Sequence, residues 1–310
     1  MPWLSTEDAC STLHVAERTL QRWAQEGKIH YKPHPDRPRS RLYLLEDKAT
    51  AVAPPAPCPS GQPMKATRSI LGIWDVHVPD HDEKALSAVL QFIRDYQPDE
   101  ILIGGDFLEL ESASRHGGVA SPRSLLDEIK AGKKVIQTFR KAAPKAKFTY
   151  LEGNHEQRLS NVVVDSLPTF DGALSIPALL DFEKFDIEWM PYGKLYRPRH
   201  SSGALSKLHY VHGAWASKYH ASKTTDVYGV CVRYGHVHTA QCYLRGRADG
   251  GVYGAWATPC LRSLDVPWTQ GPSCWVHGLS FDEIFDDGSF TANTIVMANR
   301  RFAWCGKIYG

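Results

Sequence analysis

Three short apolar runs, Ser69–Trp74, Glu100–Gly104 and Lys147–Glu152, each deliver the chain into side chains of metal-binding type. The first leads to Asp75-Val-His77, the second to Gly104-Gly-Asp106 and the third to Gly153-Asn154-His155-Glu156. Between them lie helical patterns, with Leu86, Val89, Leu90 and Ile93 on one face and Leu125, Leu126, Ile129, Ile136 and Phe139 on another. This βαβαβ order predicts parallel strands covered by helices. Side chains just beyond the carboxyl ends of such strands meet at one crevice, whatever their separation in sequence. Val211-His212-Gly213 and Gly235-His236-Val237-His238 follow later strand-like runs and supply further candidates. Strand alternation would put both side chains of a D-x-H or an H-x-H on the same side. Beyond Leu205 short strands with Gly and Trp punctuation predominate. A second sheet is therefore expected, and the fold class is an α/β sandwich of two sheets.

Any one of these pieces alone is weak, since a lone D-x-H is usually a surface pair. In this order they resemble the calcineurin-like metallophosphoesterase family, which reads D-x-H, G-D, G-N-H, an isolated His and G-H-x-H. The resemblance covers about residues 68–240, and the tail to 310 looks like the completion of the second sheet. It implies two divalent metal ions, one held by Asp75, His77, Asp106 and His238. The other would take Asp106, Asn154, His212 and His236, with Asp106 bridging. Carboxylate, imidazole and amide oxygen suit Mn²⁺ foremost, with Fe, Zn²⁺, Ni²⁺ or Mg²⁺ as alternatives. Two such ions, roughly 3.5–4 Å apart, can share a hydroxide for in-line attack on phosphorus. His155 resembles the family histidine that faces the leaving oxygen, where it would assist catalysis together with the bridging Asp106.

Other polar residues leave two readings open. Arg158, Arg115 and His116 are candidates for substrate contact, or else a surface ion pair and an ordinary loop. Lys218, His220 and Lys223 line the same groove or are simply solvated. Trp74, Trp189, Trp215 and Trp256 read as core, and Trp275, Phe281 and Phe290 as strand core residues.

Residues 49–67, rich in Pro and Ala, can form neither helix nor central strand and read as an extended linker. They separate a head, residues 1–48, from a body, residues 68–310. In the head, Ser5-Thr-Glu-Asp8 suits a helix start, and Leu13-His14-Val15 a short turn. Ala16–Glu26 reads as a second helix with Leu20, Trp23 and Ala24 inward, and Gly27 as its stop. Lys28–Tyr31 and Arg41–Leu44 would pair as a hairpin around 32–40. These residues resemble the excisionase-like (MerR-type) winged helix-turn-helix modules over about residues 3–47. From Glu17 to Arg41 seven Lys or Arg stand against three acidic residues, which suits phosphate contact. The resemblance implies that Arg18, Gln21 and Arg22 face the major groove while Arg37, Arg39 and Arg41 hold backbone.

Whole-chain charge decides nothing, because the formal net charge over 310 residues is only +2. Seven cysteines with no C-x-x-C pair fit reduced thiols in a cytoplasm, of a bacterium or a phage-infected host. The N-terminus lacks the features of a signal peptide and no apolar run reaches membrane-spanning length. Residues 68–310 also look like compact metallophosphoesterases of phage and prophage genomes, through Gly153-Asn-His-Glu with Arg158 and through Asp287-Gly-Ser-Phe. The expectation is a phosphodiesterase acting on DNA, a nuclease that its head brings to substrate. The alternatives are a phosphatase or cyclic nucleotide phosphodiesterase acting on small molecules, or a DNA-binding regulator without catalysis. Oligomeric state, metal identity and cleavage polarity have no sequence signal.

Overall fold

A computed structural model describes residues 3–13, 16–25, 29–35, 37–44, 67–114, 123–170, 172–248, 250–266 and 273–310. The chain divides into two compact units, Met1–Met64 and Lys65–Gly310.

The small unit begins with a strand that the sequence reading did not anticipate, β1 (Trp3–Ser5). Helix α1 (Thr6–Leu13) follows, and the Ser5 hydroxyl accepts the Asp8 amide at 3.1 Å, capping it as the S-T-E-D pattern requires. Helix α2 (Glu17–Gln25) then leads to β2 (His30–His34) and β3 (Arg37–Leu44). The three strands form an antiparallel sheet in the order β1-β3-β2, so the hairpin turn is tighter than the expected 32–40 loop. Leu20 and Ala24 of α2 pack on Ala9 and Tyr43, and Trp23 is only half-buried. Arg18, Gln21 and Arg22 are exposed together on α2 and Arg37 is exposed on β3. Arg41 lies over the Tyr31 ring at 4.6 Å. The expected turn at 14–15, the Gly27 stop, the Arg39 side chain and the linker up to residue 66 lie outside the described residues.

The large unit is built on a six-stranded sheet. Its parallel part consists of β4 (Thr67–Ile73), β5 (Glu100–Ile103), β6 (Lys147–Leu151) and β7 (Ile187–Met190). Helices α3 (Glu83–Tyr96), α4 (Leu125–Ala142) and α5 (Asn154–Ser166) alternate with these strands. The short helices α6 (Ile176–Leu179) and α7 (Phe182–Phe185) precede β7. Strand alternation sorts the side chains. Leu71, Ile73, Ile101 and Ile103 join Val89, Phe92, Ile136 and Phe139 in the core beneath the helices. Ile70, Trp74 and Leu102 point the other way, into a second core with Leu208, Tyr210 and Cys231.

That second core faces a four-stranded sheet, order β10-β11-β9-β8, formed by β8 (Leu208–Tyr210), β9 (Cys231–Tyr234), β10 (Gln241–Gly246) and β11 (Val252–Ala257). Between β8 and β9 runs α8 (His220–Tyr228), whose Tyr228 packs with Val211, Val232, Tyr234 and Ala255. The unit is thus a two-sheet α/β sandwich. One expectation fails. The tail strands β12 (Gly278–Phe285) and β13 (Phe290–Val296) do not complete the second sheet. β12 pairs antiparallel with β4, and the first sheet runs β13-β12-β4-β5-β6-β7. Both faces of β12 are buried, Leu279 and Phe281 among the helices and Ile284 between the sheets, so its alternating pattern suited either sheet. A hairpin of β14 (Phe302–Trp304) and β15 (Lys307–Tyr309) sets Phe302 and Tyr309 edge-on to Phe92.

The two sheets are tied by a buried ion pair. Arg233 of β9 donates to Asp282 of β12 at 2.6 Å, and neither side chain is exposed at all. Asp282 also accepts the Tyr210 hydroxyl at 3.1 Å, and Arg233 also donates to Thr294 of β13 at 2.9 Å.

Candidate metal centre

The strand ends converge as expected, but the local geometry differs from simple alternation. β4 stops at Ile73 and β9 at Tyr234, so Asp75-Val-His77 and His236-Val-His238 lie beyond the strands. Asp75, His77, Asp106, His236 and His238 all have positive φ, between 46° and 73°. For residues with a Cβ that left-handed conformation costs about 1–3 kcal/mol each and persists only where the surroundings impose it. It is these turns, and not strand alternation, that bring both ends of each motif to one side.

The impositions can be named. Glu156 accepts the Asp106 and Gly153 amides through one carboxylate oxygen, at 3.0 and 2.9 Å. Its other oxygen accepts the Phe107 and Leu108 amides and the Tyr150 hydroxyl at 2.8–3.0 Å. Asp75 accepts the His236 amide with both oxygens, at 3.0 and 2.9 Å, joining the first loop to the last. A Cβ at Gly153 would collide with the Asp106 amide and carboxylate. Gly105, at φ 87°, would carry a Cβ 2.6 Å from His212 Nδ1.

Two groups of donors result. Asp75, His77 and His238 lie close enough to share one ion, and so do Asp106, His212 and His236. The Asn154 amide oxygen adds to the second group, 3.1 Å from His212 Nε2 and 2.8 Å from His236 Nδ1. Asp106 Oδ2 is 3.2 Å from His212 Nε2, and Asp106 also groups with His77 and His155. All seven residues singled out in the sequence are therefore brought together. Asp75, His77, Asp106, His212 and His238 are buried, while Asn154 and His236 are half-buried, so the centre opens on their side.

The ring nitrogens are oriented for lone-pair donation. His77 Nδ1 donates to the Glu109 carboxylate at 2.7 Å, which leaves Nε2 unprotonated in the neutral ring. That Nε2 lies 3.2 Å from His238 Nε2, a separation that fits one N–H donated to one lone pair and equally a cation shared by two lone pairs. His212 Nδ1 donates to the Gly104 carbonyl at 2.9 Å, turning its Nε2 inward. Electrostatics agree with a cation demand. Burial disfavours charge on His212, but Asp106 and Asp75 outweigh it and raise the imidazole to about 10. Burial, with His155 and His238 as neighbours, pushes His77 well below its ordinary value. Two buried carboxylates with mixed imidazole and amide donors form a set that fits divalent metals.

His155 stands at the edge of this set. Its Nδ1 donates to the Glu109 carbonyl at 2.7 Å, and its Nε2 lies 3.8 Å from Asp106 Oδ2. Arg158, one helical turn on, donates to that Nε2 at 2.9 Å. Burial above all, with Arg158 adding, lowers His155 to about 4. Arg158 is thus at the site, where it touches His155. Arg115 and His116 lie outside the described residues.

Sequence reasoning missed four contributors. Glu109 holds both His77 and His155, and its place in Gly105-Asp-Phe-Leu-Glu109, right after the second motif, was a readable signal. Arg262 is buried and pairs with Glu109 at 2.9 Å. The Trp275 ring sits 4.5 Å from His238, so this residue belongs to the site and not to a strand. Tyr192 lies beside His212, its hydroxyl donating to the Gly213 carbonyl at 3.3 Å. The last three come from loops with no local pattern.

Comparison with known proteins adds the following. Residues 3–47 match the family model of a helix-turn-helix domain. A 132-residue stretch is 30% identical to the Gene 54 protein of Mycobacterium phage D29, covering 40% of this chain and 51% of that protein. The Gene 54 protein of Mycobacterium phage L5 is 29% identical over 136 residues, with the same coverage. The chain therefore spans about half the length of these curated relatives. Among solved structures, nuclease MPE of Pseudomonas putida is 14% identical with a TM-score of 0.33, covering 77% of this chain and 85% of that one. The phosphoesterase Yfce of E. coli is 12% identical with a TM-score of 0.34, covering 74% and 100%. Vacuolar protein sorting 29 of Cryptosporidium parvum is 11% identical with a TM-score of 0.38, covering 75% and 99%. Likenesses this distant carry no functional weight, which stays with the side chains of the site. No helix among the described residues is long and apolar enough to cross a membrane. Within the N-terminal unit, residues 3–47 are thus similar to a helix-turn-helix domain.

Proposed function

We propose that the large unit is a dinuclear metallophosphoesterase of the calcineurin-like kind, and that it cleaves DNA phosphodiesters to which the helix-turn-helix unit directs it. The observation that carries this reading is the facing pair of donor groups, Asp75, His77 and His238 on one side and Asp106, His212 and His236 on the other. Asp106 would serve both ions and Asn154 the second, with Mn²⁺ the leading candidate. Two bound divalent ions would acidify a shared water and neutralise the phosphoryl oxygens. The chain's own residues would do the rest. Glu109 and Gly104 fix the tautomers of His77 and His212 through their Nδ1 protons. His155, with Nδ1 held by the Glu109 carbonyl, has Nε2 left to exchange a proton with the leaving oxygen once the Arg158 guanidinium that bonds it turns to the phosphate. Arg158, beside that nitrogen, is placed to contact a phosphate oxygen.

The test is hydrolysis of supercoiled plasmid, linear duplex, single strand and bis-p-nitrophenyl phosphate with Mn²⁺. Cleavage of DNA together with the small diester supports the reading. A preference for monoesters, with DNA untouched, would move the substrate to small molecules. His155→Ala is expected to keep both metals by elemental analysis yet lose turnover roughly 10²- to 10⁴-fold. Full activity with metals in place would remove its role. Arg22→Ala, on the exposed face of α2, should weaken duplex binding and flatten its salt dependence by about one unit of slope while sparing the small diester. An unchanged affinity across a salt series would exclude a DNA contact there.

A further inference from the structure

The segment between His212 and β9 has a composition that the metal centre does not use. Trp215 was expected in the core, yet it is half-buried outside the core clusters, edge-on to Tyr228, with the Lys223 ammonium 5.5 Å from its ring centre. Tyr219 is 67% exposed, and the Lys218 ammonium lies 5.3 Å from its ring. Lys218, Tyr219 and Lys223, with Ser222 and Asp226, line a shallow surface pocket of about 480 Å³, and Trp215 adjoins it through Lys223. Asp226, the acidic member, is matched by Arg245 at 3.0 Å, so among the described residues no carboxylate claims the two ammonium groups at the pocket.

This surface is fastened to the centre. Trp215 follows the candidate ligand His212 by three residues, which limits their Cα separation to roughly 11 Å. Buried His220, the first residue of α8, contacts the Tyr234 hydroxyl at 2.7 Å through Nδ1 and the Thr239 hydroxyl at 3.2 Å through Nε2. Thr239 is the residue after the candidate ligand His238. The Gln241 amide group accepts from the Ala221 amide at 2.8 Å and donates to the Lys218 carbonyl at 3.0 Å. The loop bearing His236 and His238 therefore clamps the segment bearing Lys218, Tyr219 and Lys223.

We infer that this surface is a binding track for single-stranded polynucleotide next to the scissile phosphate, with Tyr219 and Trp215 stacking bases and Lys218 and Lys223 holding backbone phosphates. The inference rests on the phosphodiesterase reading and deepens it. Solvent-facing aromatic rings interleaved with ammonium groups match the alternation of base faces and phosphates in a single strand. A duplex, with its bases already stacked, offers Tyr219 nothing to cover.

The test titrates a fluorescein-labelled oligothymidylate of about 12 nucleotides against the full chain in EDTA, by anisotropy. All proteins carry Arg22→Ala, so that the head contributes least. Tyr219→Ala is expected to weaken binding roughly tenfold while Tyr219→Phe keeps it. Lys218→Ala with Lys223→Ala should lower the salt slope by about 1.4, at about 0.7 for each phosphate contact on a single strand. Unchanged affinity in Tyr219→Ala and in the double lysine variant would overturn the inference, and so would equal loss in Tyr219→Phe. Hydrolysis of bis-p-nitrophenyl phosphate with Mn²⁺ is read separately on the unsubstituted parent chain. Its absence in the parent would sink the phosphodiesterase reading while leaving the binding result to stand or fall by itself.

Discussion

Asp106→Asn is expected to strip the centre of metal and lower phosphodiester hydrolysis by more than three orders of magnitude, roughly 4 kcal/mol or more of barrier. Asn is the informative replacement because it keeps an acceptor for the His155 amide, which bonds Asp106 Oδ1 at 2.8 Å, and so spares the fold. What it removes is the negative charge. Burial alone would raise the Asp106 carboxyl, but His212, His155 and His77 hold it well below the usual range, so it is a buried carboxylate. Loss of an outer partner of a metal ligand typically costs roughly 10- to 100-fold in metal affinity, and loss of a shared carboxylate should exceed that. Elemental analysis should read fewer than two metals per chain with circular dichroism unchanged. Two retained metals would show that Asp106 does not bridge.

Asp282→Ala should cost about 3–5 kcal/mol of stability, because it leaves the Arg233 guanidinium buried without its counter-charge. Both side chains are fully buried, so solvent cannot compensate. Burial pushes the Asp282 carboxyl up even against the pull of Arg233, so the cost of burying these charges is what the pairing must offset. For a unit of this size the melting temperature should fall by roughly 10 °C. Arg233→Met with Asp282→Leu, which removes both charges, should recover most of that loss. A single variant as stable as the parent would mean that water reaches the pair. The effect should extend to the centre, since Tyr210 and Arg233 precede the loops of His212 and His236 and both bond Asp282.

The candidate ligands were legible because each sits where an apolar run breaks into Asp, His or Asn, and parallel strands gather such breaks at one edge. The route by which they converge was not. Left-handed backbone at Asp106 or Asp75 is imposed by partners such as Glu156 and the His236 amide, and no local pattern announces it. Arg262, Trp275 and Tyr192 reach the site from loops and were invisible for the same reason. Trp215 was misplaced because a tryptophan in an apolar stretch usually fills a core, and its half-exposed position depends on how α8 is clamped. β12 and β13 were recognised as strands, but pairing with β4 is decided across most of the chain.

That last pairing bears on how the protein comes into being. β4 is among the first strands of its unit to be made, yet its neighbour β12, whose Ser280 pairs with Gly72, follows only after all of β5 to β11. Closing such a long loop delays folding, since the entropy must be spent before the contact is made. In the meantime one side of β4 is an open hydrogen-bonding edge, the kind of surface on which nascent chains aggregate. The head has no such wait, because its sheet closes within residues 3–44. On the ribosome the small unit should therefore be finished while the sandwich is still an unsealed sheet, and substitutions that weaken the β4–β12 seam should reduce yield before they reduce activity.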